Sequence, residues 1–231
     1  MAVDTRAERV IPGIGTLSFE QEPYRRYWLL PDGGQRRRRL PSVTSILSDV
    51  IAKPGLVKWA ARLGPAYDRA RDEAAARGTA IHAFIEHYLQ TGELLDPPDE
   101  HAPYVHAAAA FLWQYDPRPL AVELLVCHPE LGYAGRLDLI AEIDGAATLL
   151  DFKTNPAGRI YPEAHVQAYA YELANERCAG LDIERTLLVG IGDSGAFQVV
   201  EGVDTAKTWG AVLALYGELK QLERRLGGEE A

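Results

Sequence analysis

The fold of this chain is decided by residues 135–154, which read GRLDLIAEIDGAATLLDFKT. Two runs of apolar and β-forming residues flank Asp144-Gly145, a pair that favours a two-residue hairpin turn. If this pair forms the turn, Asp138 lies directly opposite Asp151, with their Cβ atoms about 5 Å apart. Side chains alternate along a strand, so Lys153 points to the same face as Asp151. The opposite face takes apolar residues that suit a core: Leu137, Leu139, Leu150 and Phe152.

Two carboxylates that face each other destabilise a hairpin, so this pair indicates a cation between them. Carboxylate oxygens with open coordination positions suit Mg²⁺, with Mn²⁺ as its alternative. A lysine beside them can stabilise the negative charge that develops on a phosphate. This layout is typical of metal-assisted phosphodiester hydrolysis. The alternative is a surface hairpin with scattered charges, in a register shifted by one residue.

Three further patterns accompany the hairpin. Gly78-Thr79-x-x-His82 lies upstream, Gln167-x-x-x-Tyr171 lies downstream, and residues 41–47 read PSVTSIL. With Gly135-x-x-Asp138 and Asp151-x-Lys153, these patterns resemble the RecB-type branch of the PD-(D/E)XK nuclease superfamily. The stretch that begins at residue 41 is also similar to stand-alone phage exonucleases and to the mitochondrial genome-maintenance exonuclease.

The resemblance implies an α/β fold with a restriction-endonuclease-like core, in which helices flank a mixed central β-sheet and the N-terminal region is helical. It also implies a metal-dependent DNA exonuclease, acting at single-stranded ends in phage or bacterial replication and recombination. Alternatives are a structure-specific or non-specific endonuclease on the same core, and an inactive DNA-binding or partner-docking module. The expected DNA-associated partners are a helicase, a recombinase or a single-strand-binding protein.

The same resemblance assigns roles to individual residues. It implies a metal site made by His82, Asp138, Asp151 and the backbone carbonyl of Phe152, with Lys153, Gln167 and Tyr171 completing the catalytic set. Each has a structural alternative: the histidine can be an ordinary helix residue, and the glutamine and tyrosine can be the rim of an amphipathic helix. Glu86 and Glu123 rank second, either as outer acids of the site or as partners of basic residues.

The net charge of −9 is unusual for a protein that binds DNA, but the charge is unevenly distributed. Residues 24–62 hold nine basic residues and two acids. The run Arg36, Arg37, Arg38 and Arg39 can bind phosphates, or it can be a charged strand edge that blocks aggregation. The hydroxyls of Ser42 and Thr44 can also bind phosphate oxygens. Ser42 is equally suited to cap a helix.

A length of 231 residues fits one α/β domain. We expect an N-terminal hairpin extension over residues 1–40, followed by a nuclease core with its helices over 41–220. Turn signals and hydrophobic periodicity predict the elements. These are a hairpin over 24–40, helices over 43–50, 54–63, 66–90, 101–115, 161–175 and 205–226, and strands over 120–127, 186–191 and 196–200.

Several classes of protein are disfavoured. Two cysteines, Cys127 and Cys178, are too few for a four-cysteine iron–sulfur cluster. The sequence has no G-x-x-x-x-G-K-S/T phosphate loop, which argues against a built-in ATPase. It also has no apolar run of about 18 residues, the length that a membrane span needs. We therefore expect a cytoplasmic protein of a bacterium or a phage-infected cell, with no membrane partner.

Overall fold

The computed structural model describes residues 6–21 and 25–227. Within them the helices are α1 (Val43–Val50), α2 (Pro54–Leu63), α3 (Tyr67–Thr91), α4 (Ala102–Tyr115), α5 (Pro162–Cys178) and α6 (Ala206–Leu226). Each lies within a few residues of its predicted span. The sequence shows why they begin and end there: Ser42 caps α1, Pro54 opens α2, and Gly92 ends α3 in a left-handed conformation.

The N-terminal region forms an antiparallel sheet of β1 (Arg6–Ile11), β2 (Gly15–Glu20), β3 (Arg26–Pro31) and β4 (Arg38–Leu40), in that order. The predicted hairpin over 24–40 corresponds to β3 and β4, although Tyr24 lies outside the described residues. The expected hairpin extension over 1–40 also contains β1 and β2, two strands that the sequence analysis did not predict. Both alternate in burial: β2 places Leu17 and Phe19 in the core, whereas β1 is charged on its outer face.

The central sheet contains β5 (Arg118–His128), β6 (Tyr133–Ile143), β7 (Ala146–Thr154), β8 (Arg185–Ile191) and β9 (Phe197–Glu201), in that order. Neighbouring strands are antiparallel except β7 and β8, which are parallel. A parallel pair needs a crossover connection, and α5 supplies it. The sheet is therefore mixed and flanked by helices, which confirms the predicted fold class.

Two apolar layers hold the central sheet between helices. One face packs against α3 and α4, and the other packs against α1, α5, α6 and the N-terminal sheet. The N-terminal sheet therefore shares a core with the central sheet. Whether the chain is one domain stays a prediction. None of the helices within residues 6–21 and 25–227 has the length and apolar character to cross a bilayer.

The hairpin register is the predicted one. Ile143 pairs with Ala146 across the Asp144-Gly145 turn, and the ladder continues to Leu139 and Leu150. Leu139, Leu150 and Phe152 enter the layer against α3 and α4, as expected.

Leu137 does not share that face, so this part of the prediction is wrong. It is buried in the other layer. The same change of layer occurs on the neighbouring strand between Val122 and Leu124, and Glu123 between them has a φ of 50°, outside the range of regular strands.

The arm formed by α2 and the first half of α3 stands apart from the core. Helix α2 has no buried residue, and the buried residues of α3 are confined to Ile81, Phe84 and Ile85 in its second half. Trp59 packs edge-on against Tyr67, with ring centroids 5.3 Å apart, which ties α2 to the start of α3. His82 lies immediately after Ile81, where α3 meets the body.

The parallel pair beside Lys153 depends on a close approach of two backbone segments. Gly190, the β8 partner of Lys153, would place an added Cβ 1.8 Å from the carbonyl oxygen of Gly158. We predict that Gly190→Ala lowers the free energy of unfolding by about 1–3 kcal/mol, since the loop after β7 must shift.

Chemical denaturation followed by circular dichroism measures this change. Gly210→Ala is the matched control, because an added Cβ there meets no atom within 4 Å and the residue lies in helix α6. This control should be neutral or stabilising by up to about 1 kcal/mol. Equal stability of Gly190→Ala and wild type would contradict the packing described here.

Candidate metal centre and active site

Three side chains from three elements converge at one place on the central sheet. His82 comes from α3, Glu123 from β5 and Asp138 from β6. One ligand atom of each lies within 4.8 Å of the other two. The His82 Nδ1 is 3.5 Å from Asp138 Oδ1 and 3.8 Å from Glu123 Oε1. All three are partly buried, so they form a compact donor set that opens to solvent on one side.

Glu123 reaches this cluster through an unusual backbone conformation. Its neighbours Val122 and Leu124 pair with Leu139 and Leu137, which places Glu123 opposite Asp138. A φ of 50° at a glutamate costs of order 1–3 kcal/mol, and such strain is often found at functional sites. The second-ranked acid of the sequence analysis thus lies beside the histidine and the first aspartate.

Arg136 fixes the glutamate in place. Its Nε lies 2.5 Å from Glu123 Oε2, and its guanidinium stacks 4.9 Å from the centre of the Phe19 ring on β2. Sequence analysis missed this residue. The signal was available, because Arg136 lies two positions before Asp138 within the hairpin stretch and so shares its strand parity.

Asp138 is held by the backbone of the next strand. Its Oδ2 accepts a hydrogen bond of 2.8 Å from the Phe152 N–H. The ladder of paired residues between β6 and β7 ends at Leu139 and Leu150, which are next in sequence to Asp138 and Asp151. The carboxylate thus bonds the neighbouring strand just past the end of the ladder, and its Oδ1 points toward His82. The assignment of the Phe152 carbonyl as a metal ligand stays a prediction.

A second cluster surrounds Asp151, which is fully buried. Lys153 Nζ lies 2.5 Å from Asp151 Oδ2. Gln167 on α5 donates through Nε2 to Asp151 Oδ1 at 3.0 Å and accepts through Oε1 from Lys153 Nζ at 3.2 Å. Tyr171, one turn later, lies 3.3 Å from the Gln167 amide. The helix spacing predicted for Gln167 and Tyr171 therefore brings both to the aspartate and lysine.

The charges of the two clusters influence one another. Burial raises the pKa of Asp151 to about 6, and the nearby Asp138 adds to the increase while Lys153 opposes it. Burial lowers the pKa of His82, but Asp138 and Glu123 outweigh it and hold that pKa at about 9. Without a metal, the imidazolium therefore supplies positive charge among the acids.

The donor set fits a divalent cation. Asp151 Oδ2 is buried and already lies against the Lys153 ammonium, so it does not by itself call for a metal. The fit rests on the ligand atoms of His82, Glu123 and Asp138, which lie within 4.8 Å of one another. Carboxylates with one imidazole match Mg²⁺ or Mn²⁺. A pocket of about 10 Å³ lies between His82, Glu123 and Asp138, room for about one water molecule or ion.

Glu86, the other second-ranked acid, lies on the wall of this pocket. Its Oε1 accepts a hydrogen bond of 3.2 Å from Gln90 one turn later on α3. It is therefore beside the metal cluster but outside its tight donor set.

The predicted phosphate-binding residues lie apart from these two clusters. Ser42 Oγ accepts the Ser45 N–H at 3.0 Å and lies 3.0 Å from the Thr44 hydroxyl, which confirms the cap. A groove of about 1010 Å³ runs between this end of α1 and helix α6. Its lining contains the basic Arg25, Arg39, Lys220 and Arg224 and two acids, Asp49 and Glu223, both of which pair with Lys220. The contribution of α6 was missed, since nothing in the sequence places that helix beside Ser42.

The arginine run lies on and before an edge strand. Arg36 and Arg37 precede β4, whereas Arg38 and Arg39 belong to it. Arg37 pairs with Glu20 and stacks 4.3 Å from the Trp28 ring centre. The Arg38 guanidinium donates to the Pro129 carbonyl at 2.8 Å. The edge-strand interpretation thus describes their position, and phosphate binding stays a prediction.

Comparison with known proteins adds little. No family model and no curated protein matches this chain. Among solved structures, the chain is similar to an alkaline exonuclease from Laribacter hongkongensis, with 15% sequence identity and a TM-score of 0.35. The match covers 64% of this chain and 84% of the exonuclease. A likeness this weak decides neither the family nor the activity.

Gly135 keeps the second cluster in place. An added Cβ at this position would lie 2.3 Å from Cε1 of Tyr171. We predict that Gly135→Ala displaces the tyrosine ring and, through their hydrogen bond, Gln167. Divalent-metal affinity should fall by about 10–100-fold, as for other outer-shell changes at metal sites.

Titration calorimetry with Mn²⁺ measures the affinity, and circular dichroism checks the fold. Gly132→Ser is a control in the turn that joins β5 to β6, at a position where an added Cβ meets no atom within 4 Å. Its φ of 75° strains any side chain, so it controls for backbone disturbance without a clash at the tyrosine. Unchanged metal affinity in Gly135→Ala would show that the tyrosine does not support the site.

Proposed function

We propose that this protein is a metal-dependent deoxyribonuclease. One observation carries the proposal: His82, Glu123 and Asp138 bring their ligand atoms within 4.8 Å of one another, in a site that also holds the buried pair Asp151 and Lys153. A chain under selection for stability alone would not gather these acids. A divalent cation removes their repulsion, and a lysine next to it suits a phosphate substrate.

Each residue has a part that its contacts support. A bound divalent cation supplies Lewis-acid stabilisation to the phosphate and its leaving oxygen. Asp138, Asp151 and His82 hold it, and Glu123 is a further ligand held in reach by Arg136. Lys153 places positive charge where the phosphate becomes more negative. Gln167 fixes both the lysine and the aspartate through its two hydrogen bonds.

The distribution of charge supports DNA as the substrate. Acids dominate the chain as a whole, yet the groove between α1 and α6 and the Arg36–Arg39 segment are basic. Arg36 and Arg39 extend this basic surface along the edge of the N-terminal sheet. Phosphates attracted to such a surface release counterions, which gives affinity without sequence preference.

We infer further that the enzyme is an exonuclease acting on single-stranded ends. The motif resemblance supports this choice, as does the arm of α2 and the first half of α3. The arm carries Lys58, Trp59 and Arg62 beside the helix that supplies His82, and a partly exposed aromatic between exposed cations suits stacking on unpaired bases. Phage or bacterial recombination and replication is the setting that we propose, with a helicase, recombinase or single-strand-binding protein as partner.

The first prediction concerns the buried aspartate. Asp151→Asn removes a charged ligand at nearly constant shape, so cleavage of labelled DNA in Mg²⁺ should fall at least about 100-fold. EDTA should abolish wild-type cleavage.

Asp144→Asn is the matched control, because Asp144 is an exposed turn residue of the same hairpin. Asparagine tolerates its left-handed backbone. This control should cleave like wild type. Full activity of Asp151→Asn in Mg²⁺ would end the nuclease assignment, whereas absence of cleavage by the wild type, with DNA still bound, would favour the binding module.

Linear and circular single-stranded DNA, labelled at either end, separate the two enzymatic alternatives. Loss of linear DNA alone indicates an exonuclease and reveals its polarity. Nicked circles indicate an endonuclease on the same catalytic core.

The second prediction concerns the arginine run. Replacing Arg36, Arg37, Arg38 and Arg39 by serine should weaken DNA binding and make it less dependent on salt, since each lost phosphate contact lowers the log–log slope by about 0.7–0.9. Fluorescence anisotropy at several salt concentrations measures this. Replacing Arg118 and Arg177, arginines outside the arm and the run that pair with Glu142 and Glu130, tests whether any loss of positive charge has the same effect. An unchanged slope after the four-residue replacement would leave the run as a protected strand edge.

A further inference from the structure

The outer face of α6 carries an uncovered row of leucines. Leu215, Leu219, Leu222 and Leu226 are 49%, 37%, 47% and 82% exposed. Their spacing of four, three and four residues keeps them on one side of the helix, within an arc of about 60°. The start of α6 is anchored in the core, where Trp209 and Val212 are buried. From residue 221 onward every described residue of the helix is exposed, so its end extends beyond the body.

This spacing is that of the apolar seam in a coiled coil. Isolated exposed leucines are ordinary on protein surfaces, but four in one row form a continuous apolar strip. Charged residues flank the row on one side, with Glu218 at its middle and Arg225 near its end. Within residues 6–21 and 25–227 neither has an ion-pair partner, whereas Lys220 on the inner side pairs with Asp49 and Glu223.

We propose that the leucine row is a self-association surface, on which α6 of a second copy packs antiparallel. In that arrangement Leu219 meets Leu222 of the partner copy at the centre, and Leu215 meets Leu226 at either end. In an antiparallel pair, the same flank of each helix faces that of the other. Glu218 of each copy therefore faces Arg225 of the other copy, which gives two symmetric ion pairs. A parallel pair would instead bring Glu218 toward Glu223, a repulsive contact. The charge pattern thus selects the antiparallel dimer.

The contact is short, about three helical turns. It falls below the roughly 1,200 Å² of buried surface that stable interfaces need, so the dimer is weak and is to be sought at roughly micromolar to millimolar concentrations of protein. The surface lies opposite the groove between α1 and α6 and leaves the metal cluster open. Its existence is independent of the proposed nuclease activity.

Sedimentation equilibrium of the wild-type chain, over concentrations that span this range, is the first measurement. A reversible monomer–dimer equilibrium is expected, and Leu222→Arg should weaken it at least about tenfold. Val203→Arg is the matched control, because it replaces an exposed apolar residue outside the helix. A monomer at every concentration, or a dimer that Leu222→Arg leaves intact, would overturn the proposal.

A charge swap tests the orientation without touching the leucines. Glu218→Arg and Arg225→Glu should each weaken the dimer about twofold to fivefold, and the double variant should recover wild-type association because the pairs are re-formed with opposite sign. A dimer strengthened by Glu218→Arg alone would indicate parallel packing and overturn the antiparallel arrangement. Failure of the double variant to recover would do the same. Since none of these residues is buried, circular dichroism should show an unchanged fold in every variant.

Discussion

The hydrogen bond from the Phe152 N–H to the Asp138 carboxylate is the contact on which the site depends. Beyond Leu139 and Leu150 the ladder between β6 and β7 stops, and a side chain accepts the next backbone donor. The use of a side-chain acceptor in place of a backbone carbonyl has two effects. It gives the Phe152 N–H a partner, and it fixes one oxygen of Asp138 so that the other faces His82.

Without a metal, a cationic side chain opposes each acid of the site: Arg136 holds Glu123, Lys153 lies against Asp151, and the raised pKa of His82 keeps a proton beside Asp138. The lysine and the arginine are fixed in turn, by Gln167 and by the Phe19 ring. Positive charge therefore surrounds a compact group of carboxylates, an arrangement suited to a metal ion and a phosphate.

Much of this was predictable, because local signals were strong. The Asp144-Gly145 turn sets the hairpin register, and the i, i+4 spacing sets the positions of Gln167 and Tyr171. What failed depended on contacts distant in sequence. Glu123 on β5 has a left-handed backbone, and beside it Leu137 on β6 enters the other apolar layer. No pattern in the sequence predicts this. Strand β1 was missed because its alternating charges do not read as a strand, and the approach of α6 to Ser42 is purely tertiary.

The stacking of Arg136 on Phe19 makes the N-terminal sheet part of the candidate site. A version of the chain that starts at residue 41 would keep every predicted ligand and every motif of the resemblance. It would nevertheless lose the ring that steers Arg136, and with it the support of a strained glutamate. The boundary of the functional unit is therefore set by a side-chain contact at Phe19, about twenty residues before the first recognisable motif.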